Sequence, residues 1–232
     1  MTSRFFAWAL VKDRRDFAPP TSPAFPKPLN GRSLMVKRAV DVVLSSLSLF
    51  FLLPVFILIA LLIKATSRGP VLFTQARAGY HDEPFHMLKF RSMRDGVAPF
   101  LDENGKEKQA SKKDPRVTPF GRFLRRTSLD EIPQLINVLR GEMSLVGPRP
   151  HVPSHNRYYE EMIDRYASRH KMRPGMTGWA QLNGLRGETD TVDKMARRVA
   201  CDIWYAENWS LLLDMRILLL TPLVVLFQRG AY

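Results

Sequence analysis

The chain has 232 residues, enough for one domain with a real core, or for a domain plus a membrane element. A formal net charge of +13 and a pI near 10.2 call for an anionic partner: acidic headgroups, a phosphorylated substrate or nucleic acid. A single cysteine, Cys201, excludes an internal disulfide framework and a cysteine-rich zinc site, as suits a reducing compartment.

Taken in order, the first stretch, residues 1–31, carries Pro19, Pro20, Pro23, Pro26 and Pro28 among scattered charges and reads as a flexible lead-in without a signal-peptide cleavage pattern. Next, Leu44 to Ile63 is apolar over about the length that crosses a bilayer. Arg32, Lys37 and Arg38 precede it and Lys64 and Arg68 follow it. Basic residues favour the cytoplasmic side of a membrane, so basic flanks at both ends favour entry and exit on one face. Pro54, near the middle, removes a backbone donor and supplies a place for the helix to break and double back. Residues 32–69 are therefore expected to form a re-entrant helix-break-helix, against the alternative of one kinked spanning helix.

From Pro70 the chain changes to a soluble composition, and residues 70–232 are expected to form one compact domain. Val71-Leu72-Phe73 and Phe85 to Phe90 read as a small β-hairpin around His81-Asp82-Glu83-Pro84. Lys89 and Arg91, two apart, share one side of the second strand and are in a position to reach a phosphate. Arg94 to Lys113 is polar and weakly periodic, a lid-like loop, and Asp114-Pro115-Arg116 returns the chain to order.

The stretch from Arg122 to Pro150 is where the chemistry is expected. Asp130 and Glu131 lie between Arg122, Arg125 and Arg126 on one side and the stiffened Pro148-Arg149-Pro150 on the other. Ile132, Leu135, Ile136 and Leu139 recur at helical spacing toward Gly141. Adjacent helical residues point about 100° apart, so the two carboxylates are suited to separate tasks, one attacking a substrate and the other holding magnesium. Arginine forks match phosphate oxygens. Ser128-Leu129-Asp130-Glu131 also fits a capping box, a purely structural reading, although Pro133 would then fall inside the helix; a start at Asp130 leaves Pro133 in the first turn.

Beyond Pro150, Tyr159, Met162, Ile163 and Tyr166 predict an amphipathic helix ending at His170 and Lys171. Arg173 to Gly184 is turn-rich and shapes a binding loop. Val192, Met195, Val199 and Ile203 mark another helix whose apolar side includes Asp202, a carboxylate that must be paired with an arginine or serve the site. Leu211 to Phe227 is apolar but interrupted by Asp214, Arg216 and Pro222, a surface-lying or core helix.

The Arg122–Pro150 stretch, with Gln75-Ala76-Arg77-Ala78-Gly79, Lys89-Phe90-Arg91-Ser92-Met93, Asp114-Pro115-Arg116-Val117-Thr118 and Arg173-Pro174-Gly175-Met176-Thr177-Gly178-Trp179, resembles the bacterial sugar transferase family. The resemblance runs from about Lys37 to the C-terminus and is nearest to the short exopolysaccharide-priming members. It departs from the family at Leu53, where a serine often precedes the breaking proline, and at Asp82 and Glu83, where glycine and a basic residue are usual.

The resemblance implies a mostly helical α/β fold, monotopic in the bacterial inner membrane, with its catalytic domain on the cytoplasmic face. It implies transfer of glucose-1-phosphate or galactose-1-phosphate from a UDP-sugar to undecaprenyl phosphate, with release of UMP, the first membrane step of exopolysaccharide, capsule or O-antigen synthesis. Asp130 would be the nucleophile and Glu131 the magnesium ligand. Arg125, Arg149 and Lys89, with Asp202, would bind substrate. Membrane lipids are the expected surroundings, and an exposed hydrophobic hairpin makes a homo-oligomer a further expectation. Two rivals stand beside this reading: a catalytically silent scaffold of a polysaccharide pathway, and a basic membrane-anchored nucleic-acid binder. No nucleic-acid fold is recognisable, so no nucleic acid is expected as partner.

Overall fold

The computed structural model describes residues 31–96, 114–187 and 191–227. The proline-rich lead-in and most of the lid-like loop lie outside the described residues.

Helix α1 (Gly31–Thr66) is inverted in its burial. Its buried residues include Lys37, Asp41 and Ser45, whereas Phe50 and Phe51 are 73% and 72% exposed. A helix apolar on all faces belongs in a core or in lipid, and here the apolar faces are the ones left uncovered. At about 1.5 Å per residue its 36 residues exceed what a bilayer core of about 30 Å requires. The chain stays helical through Pro54, so α1 is one continuous helix where a break between two was expected. A proline costs an apolar helix one backbone hydrogen bond and bends it without ending it.

Both halves of α1 touch the rest of the molecule. Before Pro54, Lys37 Nζ donates to Asp214 Oδ2 (2.6 Å) and to the Val146 carbonyl (2.9 Å). Asp41 Oδ1 accepts from Ser144 Oγ and the Leu145 N–H, and Arg38 donates to the Val138 and Leu139 carbonyls. After Pro54, Phe56 packs on Phe90 with ring centroids 4.6 Å apart, and Ile59 and Ile63 join the main core.

Strands β1 (Leu72–Ala78) and β2 (Pro84–Phe90) form the expected hairpin, paired from Leu72↔Phe90 to Ala78↔Pro84. Helix α2 (Pro119–Thr127) starts where Thr118 Oγ1 accepts from Gly121 N–H and where Pro119 needs no donor, and it stops at Ser128, which adopts the left-handed conformation. A single 3₁₀ turn, Leu129–Glu131, follows, and then α3 (Gln134–Arg140), which closes at Gly141 with φ 83°. The buried Asn137 locks α3 to the hairpin: its Oδ1 accepts from Leu88 N–H (2.9 Å) and its Nδ2 donates to the His86 carbonyl (2.8 Å). Through that link the end of β2 lies beside the 3₁₀ turn.

Strand β3 (Ser144–Val146) pairs in parallel with β4 (Gly175–Thr177). Between them stand α4 (Pro153–Glu160) and a 3₁₀ segment (Tyr166–Lys171). The expected single helix over this stretch is therefore two pieces, turned apart by Arg165 at φ 61°; this turn lets Tyr166 and Arg169 both become buried. Helices α5 (Trp179–Leu182), α6 (Val192–Glu207) and α7 (Leu211–Phe227) complete the order. The core gathers Phe90, Leu124, Val138, Met143, Cys201 and Ile217, with Trp179 stacked on Trp204 at 4.7 Å. Helix α7 is a core helix on one side, at Asp214 and Ile217, and exposes Leu212 and Leu219 on the other.

Candidate active site

The 3₁₀ turn decides how the two carboxylates face. Ser128 gives no side-chain cap and Asp130 is not an α-helical N-cap, so neither capping arrangement forms. Pro133 takes the cap position of α3 instead, and the turn before it is fixed by Leu129 and Ile132 packing into the core. Asp130 and Glu131 consequently have different surroundings.

Glu131 is held by cations. Its Oε1 accepts from Lys89 Nζ (2.9 Å) and Arg149 Nη2 (2.8 Å), and its Oε2 has Arg186 Nη2 at 3.9 Å. Burial pushes this carboxyl upward, but Arg149, Lys89 and Arg186 overcome it and hold the group well below the usual carboxylate range. Asp130 is buried and accepts no hydrogen bond among the described residues. Burial raises its pKa to about 6; Lys89, Arg125 and Arg149 pull downward and the Glu131 charge pushes upward. The result is a carboxylate with free lone pairs, in a cationic field, beside a second carboxylate that already neutralises part of that field.

Four of the predicted residues thus converge directly: Asp130, Glu131, Lys89 and Arg149. Arg125 is one step back, with Nε donating to Ser92 Oγ (2.8 Å) while its charge acts on Asp130. Arg91 parts from Lys89 and turns to Ser67. Asp202 does not reach the carboxylate pair: its Oδ2 accepts from Arg169 Nε (3.1 Å) and Nη2 (2.9 Å). Arg169 Nη2 also donates to the Arg149 carbonyl (2.6 Å) and its Nη1 lies 2.7 Å from His151 Nδ1, so Asp202 acts through the Pro148-Arg149-Pro150 segment.

Arg186 was not among the predicted site residues. It donates to Ser128 Oγ (2.6 Å), and its loop is gripped by the buried Arg198, whose Nε and Nη2 donate to the Leu185 and Gly187 carbonyls. Its signal in the sequence is an arginine two residues after the turn-rich Asn183-Gly184, just past a loop expected to bind ligand.

As a test of magnesium, carboxylate oxygens are the right donors, and this ion typically keeps water and substrate phosphates among its ligands. Glu131 Oε2 accepts no hydrogen bond among the described residues and thus leaves one edge of a charged carboxylate open, which fits such an ion. Among the described residues no group of three or more His, Cys, Asp or Glu could form a cage, so substrate oxygens would have to complete the shell.

Comparisons with known proteins identify the family. The family described as Bacterial sugar transferase matches residues 32–228. The UDP-glucose:undecaprenyl-phosphate glucose-1-phosphate transferase of Escherichia coli strain K12 is 49% identical over 214 residues, 92% of this chain and 45% of that protein. The like-named protein of Caulobacter vibrioides is 48% identical over 84% of this chain and 72% of its own length. The exopolysaccharide production protein PSS of Rhizobium leguminosarum is 48% identical over 80% of this chain and 92% of its own. The chain spans less than half the length of the first of these relatives. With its family match covering α1, the carboxylate turn and the arginine segments together, this chain belongs to the bacterial sugar transferases.

Proposed function

We infer that the protein transfers a hexose-1-phosphate, glucose-1-phosphate first, from a UDP-sugar to undecaprenyl phosphate through a sugar-phosphate ester of Asp130. The observation that carries this reading is the contrast between Asp130, buried without a hydrogen bond among the described residues, and Glu131, bound by Lys89 and Arg149. A carboxylate meant only for structure would be paired as Glu131 is. The names of the relatives, which specify UDP-glucose and undecaprenyl phosphate, supply the substrate classes.

In the first displacement an Asp130 oxygen attacks the phosphorus bonded to the sugar. The bond from that phosphorus to the bridging oxygen breaks, and UMP leaves with the electron pair. Lys89, Arg149 and Arg186 draw the diphosphate into line and take up charge on the departing phosphate. In the second displacement an oxygen of the lipid phosphate attacks the same phosphorus and the Asp130 carboxylate is released. Glu131, together with diphosphate oxygens, would hold magnesium, which supplies charge neutralisation on the diphosphate. Asp202 and Arg169 fix the backbone of Arg149.

A lipid acceptor requires the site at the headgroup plane, and the contacts of α1 on either side of Pro54 support entry and exit on one face. The domain of residues 70–232 would then face the cytoplasm with α1 dipping into one leaflet. UMP release from a panel of UDP-sugars, with and without undecaprenyl phosphate, tests the function: UDP-glucose should be the best donor, and no UMP from any donor would refute it.

A further inference from the structure

At its C-terminal end α1 gives way to Ser67, Arg68 and Gly69, and this exit forms one side of an open cleft of about 640 Å³. Arg94, Asp95 and the first turn of α2, from Thr118 to Phe120, form the other. Behind the Ser67 wall lies Arg91, only 6% exposed. Its Nη2 donates to the Ser67 carbonyl and hydroxyl, both at 2.9 Å, but Nε and Nη1 have no acceptor among the described residues. Buried donors left unused are costly, and a guanidinium edge of this kind awaits an anion.

That edge lies behind the cleft wall, close to the cleft-lining Asp95. A methyl group placed on Gly69 would lie 2.1 Å from Arg91 Nη1 and 2.6 Å from Asp95 Oδ2, so the unused donor and the cleft-lining Asp95 flank the same glycine. Arg68 and Arg94 are exposed on the rim and outweigh the single Asp95, and the N-terminal turn of α2 adds partial positive charge. One turn earlier on α1, Leu61 and Leu62 are 63% and 38% exposed, so the cationic cleft opens beside apolar surface suited to hydrocarbon. The chemistry is close by: Ser92, next to Arg91 in the chain, accepts from Arg125, whose charge acts on Asp130.

We propose that this cleft binds the phosphate of a lipid-borne phosphate ester, its hydrocarbon lying along Leu61 and Leu62. The inference rests on the reading of the protein as a transferase to a lipid phosphate. Two lipids share that chemistry, the polyprenyl phosphate acceptor and an anionic phospholipid headgroup. The test uses the full chain with Arg68→Gln and Arg94→Gln combined, both exposed and so compatible with folding, and with Arg91→Lys as a second variant.

In phosphatidylcholine vesicles carrying polyprenyl phosphate, the acceptor KM should rise by about tenfold or more, as expected from losing charge-assisted phosphate contacts. Exchange of labelled UMP into UDP-glucose without acceptor should keep its rate, because it reads the donor half-reaction alone. A phospholipid site would instead leave the acceptor KM unchanged and abolish the preference for vesicles containing phosphatidylglycerol; either result supports the cleft. If the acceptor KM and the vesicle preference both stay as in the parent protein, or if UMP exchange falls in step with them, the proposal is wrong. Absence of UMP exchange in the parent protein would sink the covalent reading separately, leaving the acceptor KM and vesicle binding to decide the cleft.

Discussion

Asp130 and Glu131 are joined by one peptide bond, yet the turn that carries them gives one no hydrogen-bond partner among the described residues and the other two close cations. The pH consequence follows from the Asp130 pKa of about 6. As the proposed nucleophile, Asp130 must be ionised, so kcat/KM should fall about tenfold per pH unit below that value and be flat above it. An acid limb near pH 4 would show a carboxylate without this burial. The same shift destabilises the fold. In the unfolded chain Asp130 ionises near 3.8 and in the folded protein near 6, so stability is full below the lower value, falls through this window as pH rises, and stays reduced above it. Asp130→Asn should therefore abolish transfer and raise the neutral-pH Tm, by a stabilisation on the order of 3 kcal/mol. A lowered Tm would mean that the charge is satisfied. For Glu131→Gln the magnesium concentration for half-maximal activity should rise by about tenfold or more, as expected when a charged ligand is lost; an unchanged titration moves the metal elsewhere.

At the scale of elements, the join between α1 and α7 is a buried ion pair, with Lys37 and Asp214 both below a tenth exposed and with Tyr205 and Trp209 also donating to Asp214. Lys37→Met should cost about 3–5 kcal/mol, seen as a lower Tm in detergent, while Lys37→Met with Asp214→Leu should recover much of it. Equal Tm for the single and double variants would show that the charge pair is not what matters there. The course of α1 is testable by cysteine labelling from the cytoplasmic side. Gly31 is open to substitution, but Gly69 is not, since its φ of 110° and the nearby Arg91 reject a side chain; the exposed Ala65 replaces it. Gly31→Cys and Ala65→Cys should react from the same side, and reaction from opposite sides makes α1 a span.

The elements were legible to different degrees for physical reasons. The hairpin and α3 showed because alternation and a 3.6-residue period each report one buried face, and the helix that ends at Gly141 stops where a glycine tolerates a left-handed turn. The break within residues 153–171 did not show, because the apolar positions Tyr159, Met162, Ile163 and Tyr166 keep helical spacing across a turn at Arg165. Of the site, Asp130, Glu131, Lys89 and Arg149 stood out as charged residues in the sequence. Spacing alone left a capping role open for the carboxylates and a solvated-strand role open for Lys89, and the family resemblance gave them their expected tasks. Arg186 did not stand out, since it reaches Glu131 only through the grip of Arg198 on its loop, a contact between distant segments that no spacing encodes.

At the scale of the whole molecule, buried polar residues on α1, uncovered phenylalanines and a net charge of +13 combine in one design: an apolar element for lipid and a basic body for phosphates at its surface. Under the proposed mechanism a soluble donor and a lipid-bound acceptor would use one carboxylate in succession. The most direct test is peptide mass spectrometry of the protein incubated with UDP-glucose and magnesium in the absence of any lipid acceptor. The account predicts one hexose phosphate per chain, on the peptide containing Asp130, with UMP released in equal amount. A hexose phosphate on another residue, or no UMP until the lipid phosphate is added, would contradict it.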